Sequence, residues 1–422
     1  MTNLFVLTLA LIVATYGPRD PGTHGPRDPE THGPTQQRLD DVVRNLRNPD
    51  YRARLEALRT LREAKHVDAI VAIAPLINDA GDEIQLMAID TELSFYLVDP
   101  VDSKRRVALI VESRRGSPAE TAFESGPLGV WPRPAPPELI GNLLRAVDDA
   151  TAQVRHSAIY ALGTVARPPF AEETTKQLIN ALDHYDPVMR AAAARVIGRH
   201  RLTAAGPELM KAVNDSQQPV RFAAMRALGD IGDQTAVQAL TKQLDHYRKG
   251  EGAWSALDGL AKIGHASSVP VFKARLVDRD QFLRRAAAEG LGRSGDPSAV
   301  ALLETAIGTE SSEMVRIAMA FALQKLGRNF IPRLVESVDS EKLAPQIAGY
   351  LIELGPPVAD SLVPHLKDPD ATIRGNVALM LGAIGSETHV PAVQALAKDR
   401  DRDVVRAADR AIERIKMRFS GP

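Results

Sequence analysis

The chain of 422 residues contains no cysteine. That absence excludes a disulfide framework, a thiolate zinc site, an iron–sulfur cluster, a cysteine nucleophile and a lipidated N-terminal cysteine. Aromatic residues make up only 5%, so any core is built mainly from alanine, leucine, valine and isoleucine. Charge of one sign is also missing: 52 Lys+Arg face 53 Asp+Glu, for a net charge of −1 and a pI near 6.8. Such a balance excludes a protein that holds nucleic acid or an anionic membrane by bulk charge. The ten histidines are scattered, and no HExxH, nucleophile elbow, Walker loop or dinucleotide fingerprint occurs. What remains is a chain 44% apolar and 25% charged, ample material for a globular core.

The N-terminal 40 residues lie outside that core. Leu4–Ala14 is an apolar run broken only by Thr8. It is too short for a spanning helix, which takes roughly 20 residues, and matches the apolar centre of a secretory signal. Residues 1–16 are therefore expected to be a signal peptide. The protein is then exported (periplasmic or extracellular), with a cytoplasmic location as the alternative and membrane contact only through this segment if it stays uncleaved. Residues 17–40 carry a duplicated GPRDPxTH unit whose glycines and prolines stop helix and strand alike. The unit reads as a spacer, and the recurring His24 and His32 lack the supporting groups a metal site needs.

From residue 41 onward one unit recurs about every 31 residues. VRHSAIYALGTV from Val154, VRFAAMRALGDIG from Val220, LRRAAAEGLGRSG from Leu283 and IRGNVALMLGAIG from Ile373 align without gaps. Each has an arginine, small or apolar residues at helical spacing, and usually a closing glycine. The anchor arginines are Arg155, Arg190, Arg221, Arg284, Arg316, Arg374 and Arg406, with weaker copies at Arg54, Gln85, Ala253 and Ala344. A second apolar helix follows each copy, as in AVQALTKQL from Ala236. One such pair cannot bury its own apolar face, so neighbours stack. The expected fold is all-α, an α-solenoid of about 11–12 two-helix repeats.

The pattern D-x-D-x-x-V-R-x-x-A-A-x-A-L-G-x-I-G resembles the HEAT-like repeat, in the short variety known from phycobilisome lyases. It extends over nearly everything after residue 40. Asp280 with Arg284, Asp215 with Arg221, and Asp368 and Asp370 with Arg374 fit it. The resemblance implies that the arginines form a structural ladder with turn acids, and that their helices line a concave wall. A related di-iron hydroxylase family carries His-Glu dipeptides on its repeats; this chain has none, so nothing carries over from it. A lyase-like or oxidoreductase-like enzyme stays an alternative by family analogy alone. No catalytic, cofactor-binding or metal-ligating residue is assigned. Asp183-His184-Tyr185 and Asp245-His246-Tyr247 recur two repeats apart, too far to share a metal, and read as turn residues.

The array is expected to comprise residues 41–112 and 138–419, separated by a Pro/Gly-rich insertion loop at 113–137. Between Gln85 and Arg155 lie 70 residues, two periods and a remainder, so Asp102–Glu112 is expected to add a helix. Six prolines forbid one over the loop, whose apolar residues are expected to fold back over a degenerate repeat. Counting from each anchor arginine, positions one, five and nine share the face opposite the buried one. At one and five they include His156, Tyr160, Phe222, Arg226, Trp254, Asp258, Ile317 and Phe321, the aromatic and charged composition of binding hot spots. These residues, with Trp131 and Arg133 on the loop, are the candidate site for a protein or peptide partner. The evenly spaced arginines of the last helix, Arg402 to Arg418, offer a weaker alternative, nucleic-acid backbone binding.

Overall fold

The computed structural model describes residues 34–98, 117–340 and 342–419. The expected signal peptide, most of the spacer and the extra helix expected at 102–112 lie outside those residues. The described residues up to 41 and those from 42 onward belong to separate units. Of the first, residues 34–41 are described, as the opening of the helix Pro34–Asn45. All geometry below belongs to the second.

Helix dominates because the sequence starts and stops it locally. Asp50, Asp186, Asp280 and Asp370 each accept the N–H two residues on, capping the helices Tyr51–Glu63, Pro187–His200, Gln281–Ser294 and Ala371–Ile384. Gly264, at φ +63°, ends Gly250–Ile263 in a left-handed turn closed to most other residues. Among the described residues the one non-helical pairing is the antiparallel bridge between Leu97 and Val130. Eleven first helices follow in order, from Tyr51–Glu63 in the first repeat to Arg402–Phe419 in the eleventh. The solenoid is all-α.

Neighbouring first helices pack on one another through alanine and glycine. Ala192, Ala224, Ala256, Ala287 and Ala318 are fully buried. At Gly292 the approach is closest: a Cβ there would meet the Cα of Ala322 at 2.5 Å, and at Gly229 the Cα of Gly259 at 2.6 Å. One turn along, Leu162, Ile197, Leu228, Leu260, Leu291 and Leu323 fill the core beneath, each contributing about 2 kcal/mol by leaving water.

The ladder runs between repeats. Arg190 pairs through both Nε and Nη2 with Asp215 in the next turn, at 2.8 and 2.9 Å, while Nη1 donates back to the carbonyls of His184 and Tyr185. Arg284 with Glu310 and Arg374 with Asp399 repeat the arrangement. Each turn acid also accepts a backbone N–H two residues ahead, as Asp215 does from Gln217. Arg54, Arg155, Arg190, Arg221, Arg284 and Arg374 thus each tie a turn already left to the turn met next. Arg316 and Arg406 differ, pairing with Glu313 and Asp403 of their own helices.

The long interval in the N-terminal half is a single repeat, not two. Helix Asp82–Tyr96 packs directly on Ala152–Val165, and the Gln85 amide donates to Asp149 at 2.8 Å as the rung between them. The excursion therefore sits inside the second repeat, whose other helix is Pro137–Ala146. The insertion also differs from a bare loop, because Pro118–Glu124 is helical. Pro118 stands at the first helical position, where its missing N–H costs nothing, and Ser117 accepts the Glu120 N–H at 3.2 Å. The ends of the insertion are tied where Val98 N–H donates to Gly129 O and Trp131 N–H to Tyr96 O.

Candidate functional site

The inner wall is open over the third to sixth repeats and bridged by the chain's own side chains from the seventh to the ninth. In the bridged part, the Tyr350 hydroxyl donates to Glu289 at 2.6 Å across two repeats, Arg293 pairs with Glu353 at 2.8 Å, and Tyr350 stacks on Phe321 with centroids 4.2 Å apart. Burial would raise the Glu289 carboxyl's pKa, but Arg285, Arg293 and the Tyr350 hydroxyl outweigh it and hold it low. Ile317 and Phe321, expected to face a partner, are consequently core, each 0% exposed. Asp258 is spent as well, bonded to Arg285 at 2.7 Å. The exposed-stripe expectation fails at Ile317 and Phe321 because contacts 60 residues apart in sequence close this stretch. It fails at Tyr160 and Phe222 as well, 2% and 9% exposed, because their rings pack on neighbouring aromatic rings.

Trp254 follows Ala253, the sixth anchor position, which carries no arginine. Its indole N–H donates to Asp280 at 2.7 Å, occupying the missing rung, and its ring lies 4.6 Å from that of Phe282. At the preceding rung Arg221 Nε donates to the Tyr247 hydroxyl at 2.7 Å. His184 accepts the Asp186 N–H, and Tyr185 lies under the Arg155 guanidinium. Both His-Tyr pairs are thus engaged in turns and rungs. Among the described residues no three metal-ligating side chains come together.

His156, Tyr160, Phe222 and Arg226 do come together, in a groove of about 830 Å³. Its floor is the third to sixth first helices, and one wall is the insertion helix Pro118–Glu124. Phe123 from that helix lies 5.1 Å from the Tyr160 ring, against Gly163, where a Cβ would be 3.0 Å from the phenyl ring. Arg195 joins the parts: it donates to Glu120 at 2.8 Å, Glu124 at 2.7 Å and the Tyr160 hydroxyl at 2.5 Å. Burial raises the Tyr160 phenol's pKa and lowers that of His156, so both are neutral at pH 7. The half of the groove nearest the helix N-termini is apolar, with Pro187, Val188, Ala191, Pro219 and Phe222; Val188 is 53% exposed. The other half is charged, with Arg195, Arg199, Arg226, Asp230 and Lys262.

The two candidates on the insertion lie elsewhere. Trp131 faces the last helix, where the Arg414 guanidinium sits 5.5 Å from its ring and donates to the carbonyls of Pro127 and Leu128 at 2.6 and 2.8 Å. Arg133 is half-buried with one guanidinium nitrogen lacking an acceptor. Arg418 donates to the carbonyls of Gly382 and Gly385. The evenly spaced arginines of the last helix thus do not form a free cationic face, since Arg414 and Arg418 are committed to backbone carbonyls. The charged and aromatic groove residues outside the candidate set include Glu120, Phe123, Glu124, Arg195, Arg199, Asp230 and Lys262. Three of them follow from position nine of the first helices, the next turn of the stripe.

Stacked two-helix units with an arginine ladder and an inner groove define a HEAT-repeat α-solenoid. The family model for HEAT repeats matches residues 175–251, 247–324 and 331–416, more than half of the chain, and the chain belongs to that family. Among characterised proteins, it is 31% identical over 161 residues to the bilin biosynthesis protein PecF of Nostoc sp. (strain PCC 7120), covering 35% of this chain and 92% of that one. It is 34% identical over 116 residues to a phycobilisome maturation protein of Synechococcus elongatus, covering 27% of this chain and about half, 54%, of that one. Among solved structures, an engineered protein aligns over 90% of this chain and 98% of its own, at 18% identity and a TM-score of 0.40. The complex of CpcE and CpcF of phycocyanin lyase from Nostoc sp. aligns over 77% and 99%, at 18% identity and a TM-score of 0.36.

Proposed function

We propose that the chain is a non-catalytic scaffold or adaptor that presents the groove of its third to sixth repeats to a protein or peptide partner. The observation that carries this reading is that the concave wall is left open there while the chain's own contacts close it further on. Apolar and charged surface side by side, walled by a helix already seated, is the composition of a docking groove. The relatives named for bilin biosynthesis and phycobilisome maturation are compatible with work on another protein. PecF's name also keeps the enzyme alternative in view. Export belongs to the proposal on the strength of the Leu4–Ala14 run alone, and N-terminal sequencing of the mature protein tests it.

The test is crosslinking of the tagged full chain in its native host, followed by mass spectrometry. Ala191 lines the groove and is half-buried, so Ala191→Trp fills the space without entering the core. A stoichiometric protein partner should be captured by the natural chain and lost with Ala191→Trp at unchanged helicity. Capture that survives the filled groove counts against the reading. A chromophore or metal copurifying with no protein partner would put the enzyme alternative first.

A further inference from the structure

The seated insertion helix shows what chemistry the concave wall accepts. Pro118–Glu124 presents Phe123 inward and Glu120 and Glu124 sideways to Arg195. Three and four residues apart, these side chains share one flank of a helix. Phe123 is further sandwiched by Arg199, whose guanidinium lies 3.7 Å from its ring centroid and donates to its carbonyl. An acidic, aromatic helical face is therefore read by arginines at positions five and nine of a first helix.

Past the end of that helix, where the wall is open, buried Phe222 and Ala223 floor the apolar half, and Arg226 and Lys262 stand in the charged half with Asp230 between them. Their existing partners leave room for competition. Arg226 meets Glu251 only at 3.3 Å, with both side chains substantially exposed, and Arg199 makes no ion pair with a carboxylate among the described residues. Lys262 pairs with Asp230 at the solvent-facing edge. An apolar row beside a charged row suits an amphipathic helix lying along the solenoid axis, across the first helices.

We infer that the open groove takes an acidic amphipathic helix of a partner protein, bearing an aromatic residue on its inner face and carboxylates toward Arg199 and Arg226, beside Pro118–Glu124. This rests on the groove being the docking site and adds the class of segment that docks.

The test uses the full chain and a fluorescein-labelled alanine-rich peptide of about 18 residues, long enough to hold a helix. It carries Glu, Phe and Glu at the spacing of residues 120, 123 and 124; a second peptide has lysine in place of both glutamates. Fluorescence anisotropy should show binding of the acidic peptide, weakened by salt. Arg199→Glu and Arg226→Glu should each weaken it roughly tenfold, the loss of one charge-assisted pair. Ala191→Trp should abolish it. Lysine-peptide binding as tight as the acidic one, with loss on Ala191→Trp, would overturn the inference and leave the groove reading standing. No binding of either peptide would also overturn it. Binding untouched by Ala191→Trp would tell against the groove itself.

Discussion

Glu92 occupies the slot that Leu61, Leu162, Ile197, Leu228 and Leu260 fill in other first helices. It is 2% exposed, and neither carboxylate oxygen has a hydrogen-bond partner. Thr91 beside it is buried with an unpartnered hydroxyl. Burial alone pushes the Glu92 carboxyl well above its ordinary value of 4.5 and so favours the neutral acid in the core. Because the folded form holds its proton more tightly, its contribution to stability is full below the unfolded value. It is lost as pH rises through the folded one. Glu92→Leu should therefore stabilise the array by on the order of 2 kcal/mol at pH 8 and by less at pH 4. Thermal melts at the two pH values would show it; a variant equally stabilised at both would mean that Glu92 is not titrating. Aligning the repeats at position seven exposes this substitution in the sequence, since the flanking repeats carry Leu61 and Leu162 there.

At the scale of the element, the rungs differ in what they hold. Arg190 makes a forked pair with Asp215, whereas Arg221 reaches the Tyr247 hydroxyl, though both also hold two turn carbonyls. Lysine keeps the charge but loses the fork. Arg190→Lys should thus cost about 1–2 kcal/mol, and Arg221→Lys less, measured by urea unfolding. Equal losses would mean the carbonyl bonds, not the acid, carry the rung. First helices, glycine stops and turn acids are legible in the sequence because each is set within a dozen residues. Even the insertion helix has a local signal, Ser117-Pro118 followed by Glu120, which the surrounding prolines mask. The burial of Phe321 has none: it comes from Tyr350, on the first helix of the next repeat, and from curvature summed over several repeats.

For the whole molecule, the important contact joins Arg414 to the second repeat's insertion, 286 residues away in sequence. Arg414 is 8% exposed, and burial lowers its pKa to about 10, which still leaves it charged at neutral pH. Its two carbonyl acceptors and the Trp131 ring are what compensate a buried cation. Arg414→Met removes all three contacts and should cost about 2–3 kcal/mol. The expected signature is a larger radius of gyration by small-angle scattering at nearly unchanged helicity. An unaltered radius would mean that the ends are held together by something else. Trp131 stands out in the sequence as an aromatic among prolines, but nothing local says that it meets the last helix instead of a partner.

That contact also changes where the array can begin to come apart. Stacked repeats are held by nearest neighbours and ordinarily fray from their termini, with the outermost unit opening first and most often. Here the eleventh repeat has two neighbours, the tenth along the chain and the second across it. Amide exchange in Arg402–Phe419 should consequently be as slow as in the middle of the array, and should speed up toward that of a frayed end when Trp131 is replaced by alanine.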